Sequence, residues 1–113
     1  MSTQRPPTVR VPLIVFAAER SLPAELWHRE GTHATLWCAE QFPPNLRCDV
    51  MFEGISAGVP VLARIEVSAR SEPVSHGDRG GHLHLVQLHF LRRADERTLD
   101  VWIRAAEAAR EPR

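Results

Sequence analysis

The chain has 113 residues, with 14 basic and 14 acidic side chains, a formal net charge of zero and no tyrosine. That length suits one domain, which buries roughly two-thirds of the surface its unfolded chain exposes. The charge balance argues against a broad, nonspecific nucleic-acid surface. All the cations are arginines, planar forks suited to phosphate or carboxylate. No run of about 18 apolar residues is present to form a membrane-crossing helix. The opening "MSTQRPPTVR" lacks the apolar core of a signal peptide, so a cytoplasmic protein is expected.

Residues 1–8 read as a flexible N-terminal segment, after which two-residue alternation dominates up to Leu91. It marks strands at Val9–Ala17, Leu22–Arg29, His33–Ala39, Leu46–Glu53, Val59–Arg70 and His82–Leu91. Turn chemistry separates them in "AERS", "EGT", "QFPPN", "GISAG" and "SEPVSHGDRGG". In the fifth run Val59, Val61, Ala63, Ile65, Val67 and Ala69 share one face, with Arg64, Glu66, Ser68 and Arg70 on the other. The period then changes. After Asp95, read as an N-cap, Leu99, Trp102, Ile103, Ala106 and Ala109 recur at helical spacing. A helix of about sixteen residues would be about 24 Å long, enough to cover one mouth of a small barrel. Residues 111–113 read as a tail. The expected fold is mainly β: a six-stranded antiparallel barrel over residues 9–110 that ends in a C-terminal α-helix.

The stretch "ELWHREGTHATLW" holds two histidines around a glutamate, a pattern to weigh against a zinc-protease helix. A hairpin centred on Gly31 with a three-residue loop puts Leu22, Ala24, Leu26, Ala34, Leu36 and Cys38 on one face. A two-residue loop at Glu30–Gly31 would mix leucine with threonine and histidine, so the hydrophobic pattern favours the first register. His28 then points inward and His33 outward. In a helix their spacing would set them about 140° apart. "HREGTH" is a poor chelate in either geometry.

His82 and His84 share a strand face about 7 Å apart, two ligands where a stable zinc site wants three or four. They read as barrel-rim residues. Cys38 and Cys48 should face each other across the "QFPPN" hairpin as buried thiols. No nucleophile elbow, paired carboxylates or phosphate-cradling glycine loop occurs. No enzymatic activity, metal or cofactor is expected.

The order of elements resembles the PilZ domain of bacterial cyclic di-GMP signalling. The opening "RVPL" is similar to the family's start. "FPPNLRCDVMF" is similar to its fourth strand, and "HLVQLHFLRRADERTLDVWI" to its last strand and closing helix. The resemblance runs from about Arg5 to Ala109. It implies ligand chemistry in two places: an RxxxR pair before the first strand, and DxSxxG in the turn between the second and third. "RPPTVRVP" keeps the second arginine as Arg10, but Pro6 stands four residues earlier, with Arg5 one step out of register. In the second place His28 stands for the aspartate, Glu30 for the serine and His33 for the glycine. Aspartate would accept hydrogen bonds from a guanine edge, and glycine allows close backbone approach. Losing two charge-assisted bonds at about 1.5–3 kcal/mol each weakens binding roughly a hundred- to ten-thousandfold.

The expected function is therefore that of a non-catalytic signalling adaptor, PilZ-like but without cyclic di-GMP binding. It would act on another protein in motility, polarity or biofilm control. The second reading is a weak cyclic di-GMP receptor using Arg5 and Arg10, with His28, Glu30 and His33 at the ligand. A histidine-based metal-binding module is the third. In the chosen register Trp27 and Trp37 point outward with Thr35 between them, the first candidate partner surface. The loop Ser71–Gly81 is the second.

Overall fold

The computed structural model describes residues 9–53, 60–68, 71–75 and 77–110. The readings of residues 1–8 as flexible, of 111–113 as a tail, and of Val59, Ala69 and Arg70 as strand fall outside them, as does Arg5. Seven strands precede one helix: β1 (Val11–Ala17), β2 (Arg20–Glu30), β3 (His33–Cys38), β4 (Arg47–Phe52), β5 (Val61–Val67), β6 (Glu72–Pro73), β7 (His82–Phe90) and α1 (Arg93–Arg110). The six long strands are the expected ones. The two-residue β6 lies inside the segment read as a loop.

All pairings are antiparallel, and the sheet runs β3-β2-β1-β4-β5-β7, closing where β3 pairs with β7. Closure gives each of the six main strands a neighbour on both sides. β6 adds to the stretch of β7 at His82 and Leu83, which β5 leaves because it pairs from Val86 to Phe90.

Alternation builds the core. Val11, Leu13 and Val15 of β1 point inward with Leu22, Ala24 and Leu26 of β2 and with Val50 and Phe52 of β4, all buried. Val61, Ala63, Ile65 and Val67 complete the inner face of β5. The helix packs mainly on β5, with further contact to β1 and β7. It buries Leu99 and Trp102 and half-buries Ile103 and Ala106. Ala109, expected on this stripe, is exposed, because the helix has run past the barrel mouth by then.

Two local expectations are corrected. Asp95 is no N-cap: the helix begins at Arg93, and the Asp95 amide already donates to the Arg92 carbonyl at 3.1 Å. Its carboxylate is buried in the first turn and accepts from Arg92 Nη2 at 2.9 Å and Nε at 3.2 Å. A negative charge there suits the helix dipole. Cys38 and Cys48 do not face each other either. Each is a free thiol, and their strands β3 and β4 are not sheet neighbours. After Cys38 the chain crosses to the far side of β1 instead of folding back as a hairpin.

The β2–β3 hairpin carries the largest register change. Ala24 pairs with Cys38, Glu25 with Trp37 and Leu26 with Leu36, as the hydrophobic pattern requires. A bulge then inserts Trp27, and pairing resumes as His28 with Thr35, Arg29 with Ala34 and Glu30 with His33. The loop is therefore Gly31–Thr32, two residues long, with Gly31 at a φ of 61° that glycine adopts without strain. One inserted residue exchanges the two faces beyond it. Arg29, not His28, joins buried Ala34 on the inner face, and His28 is exposed.

Arg29 is then placed to hold the helix. Its Nη2 donates to Glu96 at 2.8 Å and its Nη1 to Asp100, one turn further along α1. Its guanidinium lies 5.2 Å from the Phe90 ring centroid. The side chain is 9% exposed and each carboxylate nearly half exposed, so the acids keep solvation while the cation gains two partners. Arg29→Ala should lower stability by about 1.5–3 kcal/mol in a denaturant melt. Glu96→Gln or Asp100→Asn alone should cost less, because one carboxylate remains.

Candidate functional site

Two regions hold most of the residues singled out in the sequence: the end of the barrel where both β1 begins and the β2–β3 turn lies, and the outer face of β2, β3 and β7; His82, His84 and Cys38 lie in phase with the inner face.

At the first, the Val9 amide donates to the Trp27 carbonyl at 3.2 Å. This bond docks the chain before β1 against the bulge and leaves Arg10 exposed beside it. The inward placement expected for His28 is overturned. The bulge puts His28, Glu30 and His33 on one outer face, Glu30 directly opposite His33 and His28 diagonal to it. All three are exposed. Diagonal neighbours in such a ladder stand about 7–8 Å apart, and no group of three or more His, Cys, Asp or Glu among the described residues can hold a metal ion. Arg10 and the three residues aligned to the turn motif thus lie exposed at the same end of the barrel.

At the second region the tryptophans point outward, as their register demands, yet they are not an exposed patch. Trp27 and Trp37 are 4% and 2% exposed. Their rings lie within 4° of parallel with centroids 6.2 Å apart. With Val74 and Leu83 they form a second small core outside the barrel. The cover is the segment read as a loop, Ser71–Gly81. Trp37 Nε1 donates to the Val74 carbonyl at 2.9 Å, and the Val74 amide donates to the Gly81 carbonyl at 2.9 Å. Trp27 Nε1 donates to Glu25 Oε1 at 2.9 Å. Gly81 packs directly beneath the Trp37 ring, where a Cβ would stand 2.4 Å from Cζ2 and 2.8 Å from the Cys38 carbonyl oxygen. Thr35 is half-buried between His28 and Leu85. The candidate surface of Trp27, Thr35 and Trp37 is therefore closed, because a short added strand seals it. Sequence alternation could not show this cover, whose one apolar anchor is Val74.

The histidine pair also differs from its expectation as rim residues. His84 is fully buried, and its Nε2–H donates to the Glu40 carbonyl at 3.2 Å. Its ring stacks on Phe42 at 4.6 Å, with the His82 ring 6.3 Å away. Burial lowers its pKa and the neighbouring His82 lowers it further, against the hydrogen bond to Glu40. Phe42 also lines an open cleft of about 320 Å³ with Gln41, Pro43, Pro44 and Ser71. Burial raises the pKa of both thiols, that of Cys48 to about 11 with Asp49 adding to the shift. Neither is a ready thiolate nucleophile.

Compared with protein-family models, with curated proteins and with solved structures, the chain matches none. Among the described residues no helix is long and apolar enough to cross a membrane.

Two expectations follow for stability. Trp27→Ala and Trp37→Ala should each cost about 3–5 kcal/mol, as a buried aromatic does, matching Trp102→Ala in urea melts. Gly81→Ala should also destabilise. The second concerns pH. The unfolded chain protonates His84 near its ordinary 6.5 and the native protein only at lower pH. The unfolded state thus binds more protons in that interval, and stability falls as pH drops below 6.5. Melting midpoints between pH 7.5 and 5.5 should show the fall, and His84→Leu should flatten it.

Proposed function

We propose that this protein is a non-catalytic adaptor of bacterial signalling, PilZ-like in architecture, that acts through another protein without binding cyclic di-GMP. The observation that carries the reading is the juxtaposition at the barrel end. Arg10 is exposed at the end of a closed six-stranded antiparallel barrel where the β2–β3 turn also lies, and the resemblance would put a nucleotide clamp there. The turn itself presents the wrong chemistry for that ligand. Glu30 and His33 face each other across a two-residue loop. A carboxylate there opposes a dianionic ligand, and a histidine stands where close backbone approach needs glycine. His28 presents an imidazole in place of a carboxylate acceptor.

The adaptor reading places the protein in the cytoplasm and its partner in a motility, polarity or biofilm system. The exposed Arg10 favours a second reading, a weak cyclic di-GMP receptor with Arg5 as the other cation. Calorimetric titration separates the two. No saturable binding is expected at low-micromolar cyclic di-GMP. A saturable isotherm abolished by Arg10→Ala would establish the receptor and displace the adaptor.

A further inference from the structure

The seal over the indole pair has the features of a bound peptide. Among its described residues Glu72, Pro73, Ser75 and residues 77–80 are exposed, and Val74 and Gly81 are buried. Val74 is held as a guest strand residue is held. Its side chain enters the niche of Trp27, Trp37 and Leu83 and its carbonyl accepts from Trp37 Nε1, while its amide donates to Gly81 within the strap. Glu72 and Pro73 pair with Leu83 and His82 on the part of β7 that β5 leaves. Arg79 adds a cation 5.4 Å from the Trp37 ring centroid. The barrel does not need this strap to close, because β7 pairs with β3 from His82 to Gln87 and with β5 from Val86 to Phe90. The niche is also a core of its own, separate from the barrel interior.

We propose that Trp27, Trp37, Leu83 and the adjoining edge of β7 form a docking site for an extended segment of a partner protein, and that the strap Glu72–Gly81 is its internal stand-in. The partner adds as a short strand, its main chain on His82 and Leu83 and one β-branched aliphatic side chain in the indole niche. Val74 sets the size of that side chain. Pro73, already in place, shows that the position before it needs no donor. The strap and the partner compete for one site, so affinity falls by the fraction of molecules whose strap is open. The partner's protein nature rests on the adaptor reading, but the site does not. A positive cyclic di-GMP titration would remove that reading and leave the following test unchanged.

The probe is a fluorescent peptide with the sequence of residues 71–81, "SEPVSHGDRGG", followed by anisotropy against wild type and Val74→Asp. The substitution expels the internal strap by placing a carboxylate in the indole niche. The variant should bind the peptide about 10- to 100-fold more tightly than wild type. Its tryptophan emission should shift to the red without peptide and return with it. The same peptide carrying Val74→Asp should not bind. In wild type, the Val74 amide should exchange with deuterium through a local opening, well before the amides of β1 and β5. Equal peptide binding by the two proteins would overturn the proposal, as would a Val74→Asp chain without a cooperative melt. Formation of strap-exchanged dimers would overturn it too, by making a second copy the occupant.

Discussion

One inserted residue in β2 governs much of what is specific to this barrel. Up to Leu26 the strand obeys the alternation that buries Leu22, Ala24 and Leu26. If that alternation continued, His28 would enter the core and Arg29 would face solvent. The bulge at Trp27 reverses both. It turns Arg29 toward the carboxylates of Glu96 and Asp100 and places His28 beside Glu30 and His33 on the outside. The same irregularity seats Trp27 against Trp37 and offers its carbonyl to Val9. The ion pairs that Arg29 makes to the helix and the facing of the turn residues follow from it. Bulges tend to occur where a side chain must be re-aimed, and here the gain is a guanidinium with two carboxylates in place of a buried imidazole.

The second constraint is that β7 serves three neighbours. It closes the barrel against β3, receives β5 over its second half and is left with a short edge at His82 and Leu83. Such an edge, lying next to two outward indoles, has unpaired main-chain groups and apolar surface to satisfy. Among its described residues the strap supplies both needs with one buried side chain, Val74, and a few main-chain bonds. Glycine at position 81 lets the backbone pass under the Trp37 ring. The economy of this seal distinguishes it from the barrel, whose core is built from every long strand.

At the barrel end no group of described His, Cys, Asp or Glu side chains gathers into a metal site. His28, Glu30 and His33 are exposed and project from one face without converging on a point. Both cysteines are held protonated by burial, and the buried His84 is engaged with Glu40 and Phe42.

Period-two alternation by itself determined six strands and, except in β2 beyond Leu26, their inner faces, because side chains of a strand must alternate between core and solvent. The change to a 3.6-residue period did the same for the helix and for Leu99 and Trp102. The upper half of the β2–β3 register was legible for the same reason, since a slip there would expose three leucines. Only tertiary structure decided the rest. The bulge depends on Arg29 finding carboxylates about 70 residues away, and no local pattern encodes that pairing. The burial of Trp27 and Trp37 depends on Val74, one apolar residue in a polar stretch, reaching them through a strand too short to show a period. Local sequence fixes which way a side chain points from its own strand; what waits there is settled by segments distant in the chain.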